Sequence, residues 1–78
     1  MQAYKNLSGD SGVTHYELHP GSITLRFRTG EIYVYNLHYP GQRHVARMQT
    51  LARQGRGLST YVSQYVRHNY AARVTETA

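Results

Sequence analysis

Two strand-like segments meet at a short loop that ends at Gly30, and they constrain the fold more than any other feature of the chain. Residues 22–27 are apolar at every second position, which is the period of a half-buried β-strand, and residues 32–35 are all β-branched or aromatic. A two-residue turn would require a positive φ at Thr29, which is costly for a β-branched residue. A three-residue loop over 28–30 requires a positive φ only at Gly30, and we therefore predict that loop.

The loop length decides which side chains share a face of this hairpin. In the three-residue register the facing pairs are Phe27 with Glu31, Leu25 with Tyr33, and Ile23 with Tyr35. Both tyrosines then lie on the apolar face, while Ile32 and Val34 lie on the outer face beside Arg26. The two-residue turn would reverse these side chains, because side chains alternate along a strand.

A further strand is predicted before the hairpin, over residues 13–18, with a turn at Pro20 and Gly21. Its alternation places Tyr16 and Leu18 inward and Val13 outward. Residues 1–12 are polar and rich in serine and glycine, so we predict a flexible N-terminal arm.

The period changes to that of a helix after Pro40 and Gly41. In the first predicted helix one stripe contains Val45, Met48, Leu51 and Ala52. Gly55 and Gly57 interrupt the pattern, and Ser59 is a candidate N-cap for a second helix. The apolar positions of that second helix are Leu58, Tyr61, Val62, Tyr65, Val66 and Tyr70.

These segments predict an α+β fold, in which a three-stranded antiparallel β-meander is followed by two α-helices packed on one sheet face. The predicted organisation is an arm over 1–12, one β-β-β-α-α domain over 13–74 and a frayed tail over 75–78. The covered face would present Tyr16, Leu18, Ile23, Leu25, Phe27, Tyr33 and Tyr35.

Composition narrows the classes of function. A chain of 78 residues makes one small domain, and the absence of cysteine leaves no disulfide or thiolate metal site. No apolar run approaches the length of a membrane span, and no signal peptide is apparent, so we expect a cytoplasmic protein with no membrane partner. The net charge of +5 favours polyanionic partners such as RNA or acidic protein surfaces.

The chain resembles the KTSC domain, a module named for its position at the C-terminus of some lysyl-tRNA synthetases and also found as a stand-alone bacterial protein. The matching positions, in order, are Ser11, Tyr16, Phe27 to Gly30, Tyr33, Val34, Tyr35, Gly55 to Leu58, Tyr61, Val66, Arg67 and Tyr70. The arginine-rich first helix and the bridge 36–40 depart from the family pattern. The resemblance implies the fold and suggests RNA as a partner class, and it brings no catalytic residues.

Arginines supply the candidate nucleic-acid site. Its residues are Arg43, Arg47, Arg53, Arg56 and Arg67, which surround the first helix and the glycine break. Guanidinium groups near a helix N-terminus can hold phosphates, so we predict RNA binding, and less strongly single-stranded DNA binding. The alternative is that these arginines are ordinary solvated side chains and that Gly55 simply ends a helix.

The outer sheet face supplies the alternative site. Val13, Arg26, Ile32 and Val34 would form a small apolar stripe there, which suggests a protein partner or a homodimer. The arm could equally cover this stripe with Tyr4 and Leu7.

The sequence predicts no enzyme. The acids Asp10, Glu17, Glu31 and Glu76 are scattered, and the histidines have no familiar ligand spacing, so we expect no catalytic residue, metal, cofactor or small-molecule substrate. The tyrosines at periodic positions, Tyr65 among them, are predicted to fill the core, whereas Tyr4 and Tyr39 are freer to stack on bases.

Overall fold

A computed structural model describes residues 1–7, 9 and 11–75. The strands are β1 (Gln2–Ala3), β2 (Val13–His19), β3 (Ser22–Phe27), β4 (Glu31–Asn36) and β5 (Ala72–Thr75). The helices are α1 (Gln42–Gln54) and α2 (Leu58–Tyr61), and α2 continues as a π-helical segment over Val62–Val66. We call Leu58–Val66 the second helical run. No helix in these described ranges is long and apolar enough to cross a bilayer.

The predicted hairpin register is confirmed. Tyr33 pairs with Leu25 and Tyr35 pairs with Ile23 across β3 and β4. Gly30 has a φ of 91°, and its N–H donates to the Phe27 carbonyl at 2.9 Å. A loop that needs left-handed backbone at glycine alone therefore turns both aromatic rings toward the apolar face.

The sheet has five antiparallel strands in the order β1-β2-β3-β4-β5, whereas three were predicted. Both additional strands lie at its edges. β5 forms from residues expected at the end of the last helix, and it pairs with β4 through Val74 and Ile32. The β-branched residues Val74 and Thr75 favour a strand, and the open edge of β4 supplies the backbone partners. The predicted tail lies outside the described residues except for Thr75.

The segment predicted as an arm contributes to both the sheet and the core. Gln2 pairs with Tyr16, which forms β1 against the edge of β2. Tyr4 is only 6% exposed, and its ring meets the Tyr16 ring edge-on at 6.5 Å between centroids. The Tyr4 hydroxyl accepts a hydrogen bond from the Leu58 N–H at 3.3 Å. Burial of this ring ties the segment to the domain, so Tyr4 is not free to stack on a base.

Val13 faces inward, which corrects its predicted place on the outer face. Val13 pairs with Phe27, but His15 pairs with Arg26, so β2 contains a bulge between the two residues. The additional residue shifts the alternation by one position. Val13 and Tyr16 therefore both point into the core, where Val13 is 1% exposed.

Helix α1 has the predicted buried stripe of Val45, Met48, Leu51 and Ala52. It ends at Gly55, which has a left-handed φ of 80° and donates its N–H to the Leu51 carbonyl. A side chain at Gly55 would also collide with Lys5, because its Cβ would lie 2.7 Å from the Lys5 Cβ. Glycine is required here by backbone conformation and by close packing together.

The second helical run differs from the predicted regular helix. Gly57 rather than Ser59 is its N-cap residue, and no side chain caps it. Leu58, Val62 and Val66 are buried at four-residue intervals, as a widened π-helical turn allows. The run ends before Tyr70, whose ring stacks on Tyr33 with centroids 4.9 Å apart. Both helical elements and the inward side chains of β2, β3 and β4 form one core.

Candidate nucleic-acid interface

An aromatic cluster lies where α1 meets the second helical run. His44 of α1 and Tyr61 share a hydrogen bond of 2.7 Å between Nδ1 and the phenol oxygen. Tyr61 and Tyr65 follow each other by one turn, with ring centroids 4.7 Å apart, and the His44 ring lies 6.4 Å from that of Tyr65. This hydrogen bond links α1 to the second helical run. Tyr65 is the outermost of the three rings.

The prediction for Tyr65 is also wrong. It was predicted to fill the core, but it is 61% exposed. Tyr65 lies within the π-helical segment, whose wider turn places side chains differently from the regular helix that the sequence predicted. An exposed tyrosine ring beside two neighbouring rings offers a surface on which a base can stack.

Helix α1 carries positive charge next to His44 of this cluster. Arg43 and Arg47 are exposed and lie one turn apart on α1, on either side of His44 in sequence. The charge of Arg47 reaches the Tyr61 phenol, since it opposes the rise in pKa that burial causes there. We call Arg43, His44, Arg47, Tyr61 and Tyr65 the basic–aromatic surface.

The other predicted arginines lie elsewhere. Arg53 is exposed six residues after Arg47, which on an α-helix is about 9 Å farther along the axis and rotated by about 120°. Arg56 is exposed in the glycine break, near the Lys5 side chain that packs on Gly55. Arg67 lines a cleft beside Phe27 and Tyr33. Arg43 and Arg47 thus lie one turn apart on α1, whereas the other three arginines lie on a different face of α1, in the glycine break or in the cleft.

Three of the four residues predicted on the outer sheet face lie there. His15, Arg26, Ile32 and Val74 follow one another across β2, β3, β4 and β5, and Thr24, Val34 and Ala72 form the adjacent row. Val13 is absent from this face because of the bulge in β2. β5 adds two apolar residues that sequence reasoning missed, since nothing local showed that residues 72–75 return to the sheet.

Two carboxylates outside these surfaces have basic partners. Glu17 and His19 share an exposed hydrogen bond of 2.7 Å, and this hydrogen bond lowers the pKa of Glu17. Glu31 pairs with Arg73 and accepts a hydrogen bond from the Tyr33 hydroxyl at 3.2 Å. Within residues 1–7, 9 and 11–75, no three histidines or acids converge on a position that could hold a metal ion.

Comparisons with known proteins give no relative. No family model matches the chain, and neither a curated protein nor a solved structure is significantly similar to it.

Proposed function

We propose that this protein is a non-enzymatic module that binds single-stranded RNA through the basic–aromatic surface. The observation that carries the proposal is the exposed ring of Tyr65 beside the rings of Tyr61 and His44, where the charge of Arg47 also acts on Tyr61. Base stacking and phosphate neutralisation are the two contributions that single-stranded nucleic-acid sites combine. The resemblance to the KTSC domain and a cytoplasmic location stay predictions that agree with this function.

The two contributions have separate signatures. Stacking on one aromatic ring contributes about 1–3 kcal/mol per base, so Tyr65→Ala should weaken binding by about fivefold or more. Phosphate contacts release counterions, and each contact to a single strand changes the slope of log K against log salt by about −0.7. Binding through backbone phosphates and a stacked ring should show little sequence preference.

Fluorescence anisotropy with a labelled single-stranded RNA of about ten nucleotides tests the proposal, since nonspecific sites span on the order of ten nucleotides. Arg43→Ala combined with Arg47→Ala should flatten the salt slope by about 1.4 if each arginine neutralises one phosphate. The matched control combines Arg53→Ala with Arg56→Ala, which removes the same charge at the far end of α1. We expect a smaller effect from this control.

Tyr39→Ala is the control for the aromatic ring, because Tyr39 is also exposed but lies in the loop before α1. The proposal is wrong if RNA affinity does not depend on salt. It is also wrong if Tyr65→Ala binds RNA as tightly as wild type does.

We propose self-association through the outer sheet face as a second function. β5 favours it, because Val74 and Ala72 extend the apolar rows of Ile32 and Val34 to the sheet edge. Light scattering over a concentration series should then show a dimer that Val34→Glu disrupts. Leu37→Glu is the matched control, since Leu37 is exposed outside the sheet. A strictly monomeric wild-type protein would exclude this function.

A further inference from the structure

A cleft of about 220 Å³ opens where the end of the β3–β4 hairpin meets the second helical run. Aromatic rings form one wall and polar side chains form the other, and the residues involved are Phe27, Tyr33, Ser59, Ser63, Arg67 and His68. None of these residues belongs to the basic–aromatic surface. The cleft is therefore a separate feature, and its function does not depend on RNA binding.

The polar wall is a row of hydrogen-bond donors. Ser59 and Ser63 lie four residues apart in the second helical run, and Arg67 directly follows the run; all three line the cleft. The Gly12 N–H donates to Ser59 Oγ at 3.4 Å, which uses an acceptor position and leaves the hydroxyl proton available. Arg67 and His68 are exposed, and a guanidinium group presents paired donors that match phosphate oxygens.

Charge in the cleft is positive. Its walls carry the guanidinium group of Arg67, and no carboxylate contributes to them within the described parts of the chain. The Glu31 carboxylate, which reaches the wall residue Tyr33, is neutralised by its ion pair with Arg73. An anion entering beside Arg67 therefore meets donors and a net positive field.

The aromatic wall and the size of the cleft narrow the choice of anion. Phe27 and Tyr33 meet edge to face with centroids 5.1 Å apart, and they offer an apolar surface opposite the donors. Pockets for drug-sized ligands hold about 300–1,000 Å³, so this smaller cleft suits one anionic group and the carbon atoms next to it. We propose that the cleft binds a terminal phosphomonoester, with the phosphate on Ser59, Ser63 and Arg67 and the adjoining carbon atoms against Phe27.

Amide chemical-shift mapping of the full chain tests this site. Ribose 5-phosphate is the probe, and ribose and inorganic phosphate are the matched comparisons. Ribose 5-phosphate should shift the amides of Ser59, Ser63 and Arg67 in a saturable way, more tightly than inorganic phosphate does, and ribose should not shift them. Because a hydrogen bond to a charged group is involved, Arg67→Gln should weaken binding by at least about tenfold. Arg56→Gln, which changes an exposed arginine outside the cleft, should leave binding unchanged.

Other results would overturn the site. Shifts that are absent at about 10 mM ribose 5-phosphate would mean that no site of useful affinity exists. Equal affinity for inorganic phosphate would exclude a role for the aromatic wall. If Arg67→Gln does not fold, Ser63→Ala replaces it, since it removes one donor from an exposed position and should still weaken binding.

A short RNA with and without a 5′-phosphate then distinguishes an RNA end from a free sugar phosphate as the source of the group.

Discussion

The hydroxyl of Tyr35 gives the sharpest test of the packing. Tyr35 has no exposed surface, and its phenol oxygen has no hydrogen-bond partner among the described residues. Burying a hydroxyl without a partner costs about 1–3 kcal/mol in mutational measurements. Tyr35→Phe removes that cost, and the vacated volume, on the order of 10 Å³, costs only about 0.2 kcal/mol at about 24 cal/mol per Å³. We therefore expect Tyr35→Phe to raise the free energy of unfolding by about 1–3 kcal/mol.

Urea unfolding followed by circular dichroism measures this change, and a thermal scan should show a melting temperature higher by about 5 °C or more. Tyr4→Phe is the matched control. It also removes a buried phenol hydroxyl, but that hydroxyl accepts a hydrogen bond from the Leu58 N–H. We expect Tyr4→Phe to lower the free energy of unfolding by about 1 kcal/mol, because a buried donor loses its partner. A loss of about 1 kcal/mol or more in Tyr35→Phe would refute the reasoning, since it would show a bonded hydroxyl.

The remaining predictions concern pH, the turn glycines and the bulge. Burial raises the pKa of Tyr35 above its ordinary value of 10.0, so the unfolded chain ionises first as the pH rises above 10. The contribution of this phenol to the free energy of unfolding should be constant below that pH and should fall above it by up to about 1.4 kcal/mol per pH unit. In urea titrations at alkaline pH, the free energy of unfolding of Tyr35→Phe should therefore fall less steeply than that of wild type. Gly55→Ala should lower the free energy of unfolding more than Gly30→Ala does in the same assay. Both glycines have a positive φ, but only at Gly55 would a Cβ collide with a neighbour, Lys5. Equal losses would contradict the packing at the end of α1. Val13→Ala should lower the free energy of unfolding by about 2 kcal/mol, which is more than Val34→Ala should lower it. The reverse order would place Val13 outside the core.

Most of the hairpin and of α1 could be predicted because their determinants are local. The register around Gly30 follows from which residues tolerate a positive φ, and the stripe through Val45 and Met48 follows from helical periodicity. The end of α1 at Gly55 was predictable for the same reason. None of these features needs a partner that is distant in sequence.

The candidate site was only partly predictable. Arg43 and Arg47 lie on one helix face by spacing alone, and the structure leaves them there. The sequence did not show that Tyr65 turns outward, because its apolar spacing is that of a core residue in a regular helix. It also grouped Arg53, Arg56 and Arg67 with them, although helix rotation and chain direction place those side chains elsewhere.

The amino-acid sequence by itself determined the turn chemistry, the strand alternation within β3 and β4, and the buried face of α1, since each depends on residues within a few positions of one another. Tertiary structure decided the rest. β1 and β5 form only because β2 and β4 offer open edges, and the bulge that buries Val13 is set by pairing with β3. The exposure of Tyr65 depends on how the second helical run packs against α1. Backbone hydrogen bonds between distant segments and shared burial are properties of the assembled core, and no local pattern specifies them.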